Sequence, residues 1–500
     1  MDDTQGTPPT DPQPDAARRV GDRRSVRYLL ALAAAVVTAL TVATINASWL
    51  TPGASPTAVE HIHAAEAMAR GEAPSIPITP WSSESTRAGL TRYPPGMAAG
   101  IAATMRTFGV RSHVAGVWMM AFGAGAVVGI SFLMASALGG LAGGGVALLL
   151  LATTPAWTTL HLVLGSESVY LAIALAGVWL LIRSPHRHLV HGVLSALSVM
   201  VHFAGVAGTA TAVVRALHGS GPRRHRAVNA LAAGLPTVIV LTAWWVFLRR
   251  GTGDLPGPGV STFVLMTIAA GLAAVAVDRG VGRRGAESPR RRAVAVSGAY
   301  AGAWGAALLT QRLLGDASVT IDTRHFAPVL VLATLGAGVA VAHLVRSRGW
   351  AIGVPVSIAV VAWSLIGIRE ARVRVTDTNA GGIHYTDRDL VQDISLAWVF
   401  AESDDYIRVY SNEPHLLVFH GDRTASLLPE RGEDLDAFEA RFRADPSPVV
   451  VVTPASERAH DADLWSGRLG LREFRRTDRI VILLPADAPE FAALGPDPRD

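Results

Sequence analysis

The amino-acid sequence predicts a polytopic α-helical membrane protein of about eleven transmembrane helices, followed by a small extracytoplasmic α/β domain. Three observations carry that prediction. Half of the 500 residues are hydrophobic and 17% are charged, and the mean hydropathy of +0.34 lies on the membrane side of the soluble average. The apolar residues fall in blocks of about 18 to 22, the length an α-helix needs to cross about 30 Å of hydrocarbon. The basic residues collect at the ends of those blocks, where they act as topology determinants.

Composition also excludes several chemistries. The chain has no cysteine, so disulfides, thiolate catalysis and Cys-ligated zinc or iron–sulfur sites are ruled out. All 44 basic residues are arginine, and the net charge is only +4. Placed at helix ends, these arginines do not form a nucleic-acid-binding face, and no nucleic-acid partner is expected.

Residues 1–24, rich in Pro, Asp, Thr and Gln, read as a disordered cytoplasmic tail. Arg18, Arg19, Arg23, Arg24 and Arg27 precede an apolar run from Tyr28 to Ala47, which holds the N-terminus in the cytoplasm and is too long for a signal-peptide core. The transmembrane region extends over 25–370 and contains a large Pro-rich outer loop, 51–112. Further spans are expected near 113–135, 140–157 and 168–183. The stretch 189–217 is long for one span and short for two. Reading it as a two-helix hairpin keeps Arg183, Arg187, Arg223, Arg224, Arg226, Arg279 to Arg292, Arg346 and Arg348 in the cytoplasm. The remaining spans fall near 228–248, 259–277, 293–312, 326–345 and 350–368, placing the chain in the inner (plasma) membrane with its C-terminus outside the cytoplasm.

After Arg369 the composition turns polar. A linker over 371–384 leads into an α/β domain over 385–490, with strand-like runs at 406–410, 415–420, 448–453 and 478–484, helix-like stretches at 433–444 and 455–468, and a frayed tail at 491–500.

Four places on the outer face combine polar residues suited to chemistry. Glu60-His61-Ile62-His63 opens an Ala-rich helix that stops at Gly71; an acid in a first helical turn is also favoured by the helix dipole alone. Arg92-Tyr93-Pro94-Pro95-Gly96 is a turn whose prolines deny it helix until Gly96. Gly165-Ser166-Glu167-Ser168 sits where one span meets the next, a position that also suits plain interfacial solvation. Asp322-Thr323-Arg324-His325, before Phe326 and Pro328, opens a late span, and an arginine there also suits lipid phosphate or snorkelling.

In their order and spacing these motifs resemble the GT-C superfamily of polytopic glycosyltransferases, the class of the protein mannosyltransferases, the aminoarabinose transferases of lipid A and the Rgt-type envelope transferases. The resemblance runs from about residue 28 to 430 and includes Val409-Tyr410-Ser411-Asn412-Glu413-Pro414 of a small C-terminal domain. The family's first acid is most often aspartate, where this chain has Glu60.

The resemblance implies a GT-C-like fold and transfer of sugar from a polyprenyl-phosphate donor to an envelope glycan, lipid or protein acceptor. Glu60 would then be the base, with Glu167 orienting the acceptor or sharing a cation. Arg324 and Arg92 would bind the departing phosphate through their planar donor forks, and Tyr93, His61 and His325 would position substrate. An inverting displacement follows by the same analogy. No cofactor is firmly expected. Glu60, His61 and His63 could contact a divalent metal, but residues two apart on a helix face different ways and the spacing matches no known metal motif. The alternatives are a transporter or flippase of lipid-linked substrates and a structural membrane protein. Transporters place ionisable residues and broken helices near the midplane, whereas the polar residues here sit in outer loops.

Reporter fusions after Arg348 and after Glu370 are expected to report opposite sides of the membrane. The same signal from both would remove the shared face on which Glu60 and Glu167 are placed.

Overall fold

The computed structural model describes residues 14–47, 52–90, 93–219, 221–250, 260–282, 288–314, 326–382, 384–401, 408–421, 423–429, 433–454 and 462–490. Helix α1 (Pro14–Ile45) begins upstream of the apolar run at Tyr28 and takes in Ala16, Ala17, Arg18 and Arg19, all good helix formers. In the following loop, α2 (Pro56–Arg70) starts behind Ser55, whose hydroxyl accepts the Ala58 N–H, and stops at Gly71 with φ 88°. The loop also supplies β1 (Ser75–Ile76), β2 (Ile78–Thr79), β3 (Ala88–Gly89) and α3 (Gly96–Phe108). Only glycine fits at 96, since a Cβ there would stand 2.5 Å from the Met200 carbonyl oxygen.

The helical region continues with α4 (Ser112–Thr153), α5 (Pro155–Leu160), α6 (Glu167–Arg183), α7 (His188–Val201), α8 (Val206–His218), α9 (Arg223–Arg250), α10 (Val260–Gly282), α11 (Pro289–Leu314), α12 (Ala327–Arg348) and α13 (Trp350–Gly381). Helix α4 is broken at Gly140, with φ 75° and ψ −178°, so the two spans predicted over 113–157 are joined through one glycine. The expected hairpin at 189–217 is α7 and α8, separated at His202, which leaves helical geometry and caps a single 3₁₀ turn, Phe203–Gly205.

Among the described residues, seven helices are long and apolar enough to cross a membrane. The expected count of eleven would further require Gly140 to divide α4 and the 17-, 14- and 13-residue helices α6, α7 and α8 to cross. At about 1.5 Å per residue the last two are short for a bilayer. Helix α4 is the hub, touching α1, α6, α12 and α13. Small residues let these backbones meet: Gly125 abuts Ala35 of α1, and Gly338 of α12 abuts Gly143 and Ala147. Leu29, Leu32, Leu40, Leu272, Ile358 and Leu365 stay exposed, the expected exterior of a bundle facing lipid.

Helix α13 runs on to Gly381, past the predicted span end at 368. Beyond it lie α14 (Arg388–Val391), α15 (Ile394–Ala401), β4 (Arg408–Ser411), α16 (Pro414–Gly421), β5 (Ala425–Leu427), α17 (Leu435–Ala444), β6 (Pro448–Val452), α18 (Ala462–Leu469), β7 (Leu471–Arg476) and β8 (Val481–Pro485). One sequence expectation is corrected: 415–420, read as a strand, is the helix α16. Strands β4 and β5 are parallel neighbours, so the chain between them must leave the sheet and cross over, and Pro414 at the first position favours helix.

The sheet order is β2-β5-β4-β6-β8-β7, with β2, β5, β4 and β6 parallel and β8 and β7 antiparallel. Its edge strand β2 comes from the first loop, about 350 residues upstream of β5. Ile78 pairs with Ala425, and the Thr79 and Ser426 hydroxyls are 3.1 Å apart. Trp81 Nε1 donates to Glu433 at 2.7 Å and its ring meets Phe438 edge-on, while Arg441 donates to the carbonyls of Ser82 and Ser83. One core joins α2, α3 and one face of this sheet, and a second, containing Tyr410, Phe438, Phe442 and Trp465, fills the other face.

Ile78 is 1% exposed. Replacing it with Ala is expected to cost about 2 to 4 kcal/mol. The loss should appear as a lower melting temperature and faster protease cleavage of the loop at Ser82–Ser85. Unchanged cleavage would mean the β2 edge does not hold the loop to the domain.

Candidate active site

Helix α2 lies between the bundle and the C-terminal sheet. Two of its residues, Ala58 and Ile62, pack one turn apart against Val117 of α4 and Leu164 of the loop before α6. Val59, Ala64 and Ala65 enter the other core, with Leu416 and Leu417 of α16. Glu60 is thereby enclosed at 1% exposure. It occupies the second turn, not the first as the sequence suggested, because Ser55 and Pro56 start the helix a full turn earlier. A dipole benefit fades within the first turn, so helix-start stabilisation does not explain a buried acid at this position.

What meets Glu60 is His415 of α16, whose Nε2–H donates to Oε1 at 2.9 Å; the histidine is 4% exposed. Around this pair, the Tyr385 hydroxyl donates to Glu413 Oε2 at 2.7 Å, and the Tyr385 N–H donates to the Ala54 carbonyl at 3.1 Å. Asn412 exchanges two 2.9 Å hydrogen bonds with the Thr453 backbone, joining the carboxyl ends of β4 and β6. Sequence reasoning passed over His415 and Tyr385. His415 stands in an otherwise apolar run, Pro-His-Leu-Leu-Val-Phe, where a lone histidine carries no signal of its own.

Of the sequence-predicted residues, His61 and Tyr93 are brought together, their rings 5.6 Å apart. Burial depresses the His61 pKa to about 4, with the neighbouring Glu60 charge opposing the shift, and neither ring nitrogen has a hydrogen-bond partner among the described residues. His63 turns elsewhere, with Nδ1 3.3 Å from Glu66, whose other oxygen accepts from Ser112 Oγ at 2.6 Å. Burial raises the Glu66 carboxyl, but the hydrogen bonds from His63 and Ser112 and the nearby charges of His63 and Arg70 outweigh it and hold the pKa below the ordinary value.

Glu167 is half-buried in the first turn of α6 and folds back on Gly165, where a Cβ would stand 2.0 Å from its Oε2. The loop before it is tied to the α2 end of the molecule: Gly53 N–H donates to Leu162 O at 2.7 Å, Leu164 N–H to Gly53 O at 3.0 Å, and the Asn46 amide to His161 O at 2.8 Å. Glu60 and Glu167 thus share one end of the bundle. Arg92, Arg324 and His325 lie outside the described residues.

No protein-family model matches the sequence, and no curated protein matches it. Solved structures do share its architecture. The chain is similar to ArnT from Cupriavidus metallidurans, at 14% identity over 91% of this chain and 97% of that one, with a TM-score of 0.50. It is also similar to the oligosaccharyltransferase AglB from Archaeoglobus fulgidus, at 12% identity over 85% of this chain and 69% of that one, with a TM-score of 0.51. ArnT has been solved bound to undecaprenyl phosphate, and AglB with an inhibitory peptide and a dolichol-phosphate. The chain has the fold of the polytopic GT-C glycosyltransferases, and at these identities the likeness speaks for the fold alone.

Two histidines give this end of the protein a pH dependence. Burial depresses the pKa of both His61 and His161 to about 4, in His161 against a hydrogen bond from Nδ1 to the Trp157 carbonyl. The folded state therefore holds neutral rings that the unfolded chain would protonate below about pH 6.5, so stability is full above that pH and falls toward pH 4. Each ring is worth about 3 kcal/mol at the acid end. Thermal unfolding in detergent should show the decline, flattened in His61→Leu. An unchanged pH profile in that variant would assign the dependence elsewhere.

Proposed function

We propose that this protein is an integral-membrane glycosyltransferase that moves a sugar from a polyprenyl-phosphate donor to a hydroxyl of an envelope acceptor on the extracytoplasmic face. The observation that carries the reading is Glu60: a carboxylate buried on a juxtamembrane helix, at the seam between bundle and C-terminal domain, in a chain with the GT-C fold. The ligands seen with ArnT and AglB supply the donor class.

In the proposed step the acceptor oxygen attacks the anomeric carbon as its proton passes to Glu60. The bond from that carbon to the phosphate oxygen breaks, its electron pair leaves on the polyprenyl phosphate, and the configuration inverts. Phosphate is already a good leaving group, so positioning and charge stabilisation outweigh proton transfer. Arg92 and Arg324 are proposed to receive the phosphate, Glu167 to orient the acceptor or share a cation, and Tyr93, His61 and His325 to position substrate.

The transporter reading asks for ionisable residues at mid-membrane. Among the described residues, an ionic cluster in the helical region joins buried Asp278 to Arg215 and His218, at 2.8 and 2.5 Å. It lies in the last turn of α8 and near the end of α10, away from the middle of either helix.

Purified protein, undecaprenyl-phosphate-linked sugars and an envelope extract as acceptor make the assay. Glu60→Gln, which can still accept from His415, is expected to fold normally and lose about 100-fold or more in rate. Glu167→Gln should be intermediate. Arg324→Lys should be severe, because lysine keeps the charge and loses the planar fork. Full activity in Glu60→Gln would move the search for the base to Glu167.

A further inference from the structure

We infer that His415 is a positioning residue for Glu60, so that the transfer site is completed only when the C-terminal domain docks on α2. The inference rests on the reading of Glu60 as the acceptor base.

Three observations carry it. The first is the contact itself: Nε2 and Oε1 are 2.9 Å apart across 355 residues of sequence, with side chains 5% and 1% exposed. An N–H aimed at a buried carboxylate fixes the rotamer of that carboxylate, and the water that would otherwise solvate it is excluded.

The second is the frame that holds the imidazole. Pro414 starts α16, the Glu413 N–H donates to the Ser411 hydroxyl at 3.0 Å while its carboxylate accepts from the Tyr385 hydroxyl, and Asn412 is clamped to Thr453. Tyr385 in turn donates its N–H to Ala54, the residue before the Ser55 cap of α2. The path from Ala54, just before α2, through Tyr385, Glu413 and His415 to Glu60 closes on that helix, so the starts of α2 and α16 are held in register. The third is packing: Leu416 and Leu417, 1% exposed, share a core with Val59 and Ala64, so α16 cannot slide along α2 without opening that core.

His415 forms and breaks no bond in the transfer, and the acceptor proton still goes to Glu60. Its work is to hold the carboxylate where that proton leaves, and a displacement of about 1 Å is enough to cost about 100-fold.

The test uses the full-length protein with undecaprenyl-phosphate-linked sugars and an envelope extract, following release of undecaprenyl phosphate. His415→Leu should lower kcat by about 100-fold with little change in KM for the donor. His415→Gln, whose amide can donate to the same oxygen, should recover most of that loss. The double variant Glu60→Gln, His415→Leu should be no slower than Glu60→Gln alone. Unmodified kcat in His415→Leu, beside an inactive Glu60→Gln, overturns the role of His415 and leaves Glu60 in place, whereas an active Glu60→Gln overturns the base itself. If His415→Leu does not fold, His415→Gln decides: a folded Gln variant as slow as Glu60→Gln shows that the donor is not what matters and overturns the inference.

Discussion

The burial of one carboxylate constrains this structure more than any other single feature. Burying a polar group such as the Glu60 carboxyl away from water is costly unless a hydrogen bond repays it. His415 supplies that hydrogen bond. It comes from a domain on the far side of the bundle in sequence, so satisfying the acid and docking the domain are one event. Helix α2 can lie where it does only because both of its sides are covered, one by α4 and the loop at Leu164, the other by α16.

The same economy appears in the sheet. Strand β2 is only two residues long, too short to stand alone, yet it completes the parallel edge of a mixed sheet whose other strands lie beyond residue 400. Trp81 and the carbonyls of Ser82 and Ser83 fasten the chain just after it. The first loop and the C-terminal domain therefore behave as one body, built from the two ends of the chain and seated where α1 and α13 end. This covers a sheet edge that would otherwise offer unpaired backbone groups, and it brings the domain's polar connections onto the helix that carries Glu60.

An acid and an imidazole held in this way suit a reaction in which little bond-making falls to the protein. In the proposed transfer the leaving phosphate needs cations and the acceptor hydroxyl needs a fixed group to take its proton. His61, neutral and pressed toward Tyr93, and His63, spent on Glu66, have separate partners despite being two residues apart, as the 3.6-residue period of a helix requires.

The sequence by itself determined the membrane class, the approximate positions of the helical segments, the break within 189–217, the glycine-stopped helix carrying Glu60 and the likeness to GT-C enzymes. These rest on local quantities: hydropathy summed over a span, arginines at helix ends and Gly71 at the end of a short helix. Only the tertiary structure decided that Glu60 sits one turn inside α2, that 415–420 is a crossover helix and not a strand, that β2 joins a sheet encoded some 350 residues away, and that His415 faces Glu60. The physical reason is the same in each case. A short apolar run suits strand and helix equally until its neighbours are known, and a hydrogen bond across 355 residues leaves no periodic trace in the chain.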